Sequence, residues 1–233
     1  MKLVCLAAAI SLLSACPVAA AEPPGPGPDY TIDPEATQTS PDGAYTIEQY
    51  HKADADDNWT WQAWLRAKDA KDKATLLKPD QDYPAGFRFS NDMHYLVRMQ
   101  KTGSGEATLF LYRQGKDGFE SATAKPFGGL AWAFFYGRPE SRKVLKPDFH
   151  MSVNLVKGLD DNYRGLKVDW PENRYLVVSL SGEVEPTRHH HQIGTVNDWR
   201  CRYDLQTGKF DVPREFAKDN AKALVPLGPG AGG

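Results

Sequence analysis

The chain has 233 residues, of which 41% are hydrophobic and 11% aromatic, and its formal charge is −2. That composition can build a core, but it offers no basic face, which argues against a nucleic-acid partner. Of the cysteines, Cys5, Cys16 and Cys201, only the last lies beyond the N-terminal segment, so packing rather than a disulfide framework has to hold the domain.

The first element is Met1-Lys2 followed by an apolar run from Leu3 to Leu13. The run is far shorter than the ~20 residues of a permanent membrane span. A charged start, a short apolar core and a small-residue tail mark a secretory signal over residues 1–21. Two cleavage routes are written into it. Leu13-Ser14-Ala15-Cys16 resembles the lipobox of bacterial lipoproteins, which implies cleavage before Cys16 and lipid modification of that residue. Ala19-Ala20-Ala21 instead fits signal peptidase acting near Ala21, with Pro17 breaking the helix upstream. The expectation is an exported protein: periplasmic, secreted, or held at the outer membrane by a lipid that is its one membrane contact.

Residues 22–39 are rich in Pro, Gly and acids and lack apolar periodicity, so they read as a semi-stiff tether. Residues 226–233, ending in GPGAGG, read as a flexible tail. Between them residues 40–225 form one domain.

Within the domain a unit recurs. SPDGAYTI at 40–47, FSNDMHYLV at 89–97 and DWPENRYLVV at 169–178 each place a polar, acid-bearing turn before Tyr45, Tyr95 or Tyr175 and a strand. An aromatic strand follows each: WTWQAWL at 59–65, ATLFLY at 107–112 and WRCRYDL at 199–205. In the last, Trp199, Cys201, Tyr203 and Leu205 alternate with Arg200, Arg202 and Asp204, the period of a half-buried strand. Cys201 is thereby a small core residue, and Gly208 sits where a hairpin needs a positive φ. LFLYRQGKDGF at 109–119 reads as a second such hairpin.

Ser-Pro-Asp-Gly-x-Tyr before a strand, and Tyr203-Asp204-Leu205-Gln206-Thr207-Gly208-Lys209 closing another, resemble the blades of WD40-like and TolB-type β-propellers of bacterial envelopes. Asn91 stands where that pattern has proline, and Pro171-Glu172-Asn173 stand for Pro-Asp-Gly. A closed propeller has about four or more blades of ~40 residues. The expected fold is therefore mainly β: antiparallel sheets from about three blade-like repeats, as an open or incomplete propeller or a sandwich, with one or two short helices. A fourth unit disguised in residues 126–168, where Phe149, Met151, Val153 and Leu155 alternate, and ring closure by two chains stay open.

PFGGLAWAFFYG at 126–137 is apolar all round and suits a short helix. Such a segment plugs a sheet edge or face, or else presents Trp132, Phe135 and Tyr136 as a partner surface. PREFAKDNAKAL at 213–224 reads as an amphipathic helix with Phe216, Ala217, Ala221 and Leu224 on one side.

The one cluster able to carry chemistry is His189-His190-His191. Only His189 and His191 would share a strand face, so a metal site would draw a third ligand from His150, His94 or Asp198. The spacing matches no metal motif, and a long polar hairpin loop accounts for it better. There is no Gly-x-Ser-x-Gly elbow, phosphate-cradling glycine loop or His-Glu-x-x-His. Trp59, Trp61 and Trp64 would make a sugar-stacking platform, but alternation with Thr60 and Gln62 is also ordinary core patterning. The reading is a non-enzymatic binding domain without cofactor or resident metal, its partner a protein or glycan of the cell envelope. The alternative is a secreted hydrolase or metal-dependent enzyme built on His189, His191 and His150.

Overall fold

Tyr45, Tyr95 and Tyr175 each open the second strand of a four-stranded antiparallel meander. The structure, a computed structural model, describes residues 25–116, 118–143, 148–156, 174–183 and 194–226. The first meander is β1 (Thr31–Thr39), β2 (Tyr45–Ala53), β3 (Trp59–Ala67) and β4 (Ala70–Leu76). The second is β5 (Ala85–Phe89), β6 (Tyr95–Gly103), β7 (Glu106–Gly115) and β8 (Gly118–Ser121). The third is β9 (Phe149–Leu155), β10 (Tyr175–Glu183), β11 (Gly194–Asp204) and β12 (Lys209–Asp211), with β13 (Leu224–Pro226) paired to β11. The second and third are joined by one parallel bridge between β7 and β9, Ala107 to Ser152. Among the described residues the domain is thus mainly β, with two short helices, α1 (Phe127–Tyr136) and α2 (Ala217–Ala223), and neither sheet closes into a barrel. The strand Phe149–Leu155 begins the third meander instead of founding a fourth unit.

The repeat extends to individual hydrogen bonds. Ser40 N–H donates to the Tyr45 carbonyl and Tyr45 N–H to Ser40 Oγ, both at 2.9 Å, and Ser40 Oγ donates to the Asp42 carboxylate at 2.7 Å. Ser90, Tyr95 and Asp92 repeat the pattern at 2.9, 2.9 and 2.6 Å. The Ser40 hydroxyl holds the Asp42 carboxyl below the usual carboxylate range. Gly43 takes φ 71° in this turn, and Met93 is forced to φ 60° at the same place in the second copy. The third turn, at Pro171-Glu172-Asn173, lies outside the described residues, but the ladder after it repeats. Tyr45 faces Ala67, Tyr95 faces Arg113 and Tyr175 faces Asp204. One rung beyond, Lys68, Gln114 and Leu205 donate to the carbonyls of Ala44, His94 and Arg174.

Those tyrosines also link one meander to the next. Gln114 Nε2 donates to Tyr45 Oη at 2.8 Å, and Tyr95 Oη donates to the Leu205 carbonyl at 3.2 Å. Gln114 and Leu205 hold the same position in their units, so the contact repeats. Tyr175 lies under the guanidiniums of Arg202 and Arg174, 3.9 and 4.9 Å from its ring centroid.

Two hydrophobic clusters fill the layers. Ile47, Leu65 and Leu77 meet Phe87, Leu96, Tyr112 and Phe119 between the first and second meanders. Val97, Leu109 and Leu111 meet α1 and Leu176, Val178, Leu180, Trp199 and Cys201 in the larger one. Consecutive β6 residues Leu96 and Val97 serve opposite clusters, so the second meander is buried on both faces. The outer face of the first is polar: Arg66 Nε lies 2.6 Å from Glu48, which accepts from Tyr50 Oη at 2.7 Å. The outer face of the third packs Val177 with Val156 and Phe216 from the C-terminal segment.

Three sequence expectations need correction. Residues 31–39, assigned to the tether, are an edge strand paired with β2. β1 holds by main-chain bonds and by Gln49 Nε2 donating to the Ala36 carbonyl at 2.8 Å, while most of its side chains remain partly or fully exposed, so no apolar alternation betrays it. At the other end β13 runs to Pro226, one residue into the supposed tail. Finally, the C-terminal helix starts late, after a 3-10 turn at Arg214–Phe216, and this shifts its inward face. Asn220 and Ala223 are buried, whereas Ala217 and Ala221 are exposed. Asn220 accepts from Arg200 N–H and donates to the Arg200 carbonyl, both at 2.8 Å, filling the gap between β12 and β13 along β11.

Pro126 opens α1, and Gly137 N–H closes it on the carbonyls of Ala133 and Phe134. The helix packs on β7 and β10, and Gly128 presses onto Thr108. A Cβ there would stand 2.1 Å from Thr108 Oγ1, whereas one on Gly129 would meet nothing within 4 Å. Gly128→Ala is therefore expected to cost about 1–3 kcal/mol in urea unfolding, and Gly129→Ala to gain roughly 0.5–1 kcal/mol from helix propensity. Equal effects of the two would place α1 elsewhere.

Candidate functional site

The inner face of the first meander is core at one end and surface at the other. Ile47, Gln49 and His51 alternate along β2, facing Leu65, Ala63 and Trp61 of β3. Ile47 and Gln49 are buried, but two rungs on Trp59 is 47% exposed. The cause is the length of the covering layer. β5 begins at Ala85, whose N–H and C=O both bond the Gln49 side chain at 2.8 Å, so the second meander stops one rung short of His51. Trp59 and Trp61 therefore leave the core that their alternation predicts, and Trp64, on the opposite face, is buried with Nε1 donating to Gln62 at 3.0 Å.

Three neighbouring strands and one bridged residue of the connection after β4 contribute to a row at this open end. Thr31 of β1 faces His51, His51 faces Trp61, and Trp61 exchanges both main-chain hydrogen bonds with Gln81, at 2.6 and 3.1 Å. Directly opposed antiparallel residues share a face, so the order is hydroxyl, imidazole, indole, amide. The His51 ring lies 4.7 Å from Trp61 and 5.1 Å from Trp59, and its Nδ1 is buried with no hydrogen-bond partner among the described residues. Beside the row, the turn at 54–58 is held by the Asp54 carboxylate, which accepts from the N–H groups of Asp56 and Asn58. Neither Thr31 nor Gln81 could be found by pattern, because Gln81 reaches Trp61 through an isolated bridge.

A second opening, a cleft of about 390 Å³, lies where β7 and β9 part, lined by Met99, Lys101, Glu106, Thr108, Ser152 and Asn154 among others. Close by, His150 sits at φ 47° with Nδ1 3.8 Å from Glu183. His94 pairs with Asp92 at 3.2 Å in the second turn, and Asp198 with Arg200 at 2.6 Å on β11. His189, His190 and His191 lie outside the described residues, as does Cys16. Among the described residues no three His, Cys, Asp or Glu side chains converge as a metal site.

The helix predicted at 126–137 turns Trp132 and Phe135 into the larger core cluster. Phe135 is 0% and Trp132 7% exposed, and Phe135 meets Trp199 edge-on at 4.9 Å. Tyr136 is half-buried against Trp132, and burial pushes its hydroxyl up to about 12. No helix among the described residues is long and apolar enough to cross a membrane. No protein-family model matches the chain, and no curated protein matches it.

Cys201 is fully buried, and burial, with Asp211 adding to it, raises its thiol far above the ordinary value. In a Cys5→Ser, Cys16→Ser background the folded chain is expected to leave Ellman's reagent unreacted until denaturant is added. Prompt reaction of the native protein would contradict this core.

Proposed function

We propose that this chain is an exported cell-envelope protein whose β-repeat domain is a non-enzymatic binding module for a protein or glycan of the envelope. The observation that carries the reading is the uncovered aromatic end of the first meander. An indole nearly half exposed beside a second tryptophan and a histidine, on a face that elsewhere is core, is costly surface to leave wet. The N-terminal segment supports export, and the WD40-like and TolB-type resemblance of the tyrosine-led units agrees with a repeat scaffold used for binding.

Two measurements test the proposal. Purified full-length chain is expected to sediment with isolated envelope fragments, and Trp59→Ala, at an exposed position that leaves stability unchanged, to reduce retention at least tenfold. No sedimentation, or none that depends on Trp59, overturns the binding surface. In cells, labelled palmitate is expected to enter the wild-type chain and to be lost from Cys16→Ala. Incorporation that survives the substitution would exclude lipidation at this cysteine.

A further inference from the structure

Resting on that reading, we infer that the row Thr31, His51, Trp61 and Gln81, with Trp59 beside it, is a subsite for an uncharged oligosaccharide. With strands ~4.8 Å apart, the row spans roughly 14 Å, a few linked sugar rings rather than the ~800 Å² per partner of a stable protein interface. A pyranose presents an apolar C–H face edged by hydroxyls. Trp59, 47% exposed and held against His51, offers the flat apolar surface for that face.

Hydroxyls at the rim of such a sugar need neutral partners, and these stand at both ends of the row. Thr31 supplies a hydroxyl from β1. Gln81 donates Nε2 to the Asp80 carbonyl at 2.7 Å, which leaves Oε1 as an acceptor. Charge narrows the ligand further. The row carries no Lys or Arg, and the nearest turn exposes Asp54, Asp56 and Asp57. Lys52 points to the other face, where its Nζ lies 4.8 Å from the Tyr30 ring centroid. A phosphate or carboxylate ligand would meet repulsion here, whereas sugar hydroxyls would find acceptors.

The test titrates full-length chain with cellohexaose and with chitohexaose, read by tryptophan fluorescence and calorimetry. At least one hexasaccharide is expected to bind saturably and to quench emission, with affinity unchanged in about 0.5 M NaCl because no charge pair is screened. Trp59→Ala should weaken binding at least tenfold, and Thr31→Val or Gln81→Ala severalfold, with circular dichroism unaltered. Failure of both sugars to bind at millimolar concentration, or equal binding by Trp59→Ala, overturns the inference. If envelope fragments still retain the chain through Trp59 while neither sugar binds or competes, the saccharide assignment falls and the binding surface stands with a protein partner. Loss of retention as well removes both.

Discussion

Burial of one serine hydroxyl in each of the first two tyrosine-led turns constrains much of this fold. Ser90 is 0% and Ser40 4% exposed, and a hydroxyl taken out of water without partners costs on the order of 1–3 kcal/mol. Both are satisfied by accepting from the tyrosine N–H and donating to an aspartate two residues on. The arrangement fixes the angle at which the second strand leaves the turn. With that angle set, the tyrosine side chain is aimed at the next meander and the strand's register against the third is determined. One local hydrogen-bonded loop thereby specifies a long-range contact.

The joints between meanders rely on buried polar side chains bonded to main chain. Arg98, 1% exposed, donates to the carbonyls of Leu77 and Pro79 at 2.9 and 2.7 Å and to Gln100 at 2.7 Å. Tyr112 Oη adds the Lys78 carbonyl at 2.8 Å, and Gln100 the Tyr83 carbonyl at 2.9 Å. Side chains of the second meander thus hold the connection from β4 to β5 at Leu77, Lys78, Pro79 and Tyr83, while Trp61 of the first holds it at Gln81. Burial pulls the Arg98 guanidinium down from its ordinary value, with Tyr112 and the Asp80 carboxylate working against that shift. Gln49 and Asn220 act in the same way at β5 and β11. Apolar packing supplies cohesion, while these groups supply position.

The sequence discloses the parts of this architecture that are local. Alternation located β3, β7, β9 and β11, tyrosine-led turns located the starts of β2, β6 and β10, and Gly208 at φ 68° marks the hairpin read from it. β1 escaped notice because an edge strand needs no apolar face. Trp59 and Trp61 were legible as one-faced but not as exposed, since exposure is decided by where β5 ends, a fact held in the Ala85–Gln49 hydrogen bonds. Likewise Arg98 and Arg200 sit at alternation positions that would be solvent-facing in a two-layer sheet. They are buried because the stack has further layers, and layer number is not written in any single strand.

Among the described residues, three units form a stack that is finished at both ends. At the positions one, three and five after the leading tyrosine, the second meander has Leu96, Arg98 and Gln100, and the third has Leu176, Val178 and Leu180, all buried. The first has Thr46, Glu48 and Tyr50 there, partly exposed and tied to Arg66. A polar outer face of this kind is what a terminal unit of a repeat array requires for solubility. The last unit solves the same problem differently. Its tyrosine finds no fourth meander to reach among the described residues, and two guanidiniums paired with Asp204 and Asp211 take that place. Termination, rather than closure on itself, is what lets so short an array stand. Within the stack, the start of β5 at Ala85 leaves the rim between the first two meanders open, and this is where Trp59 emerges.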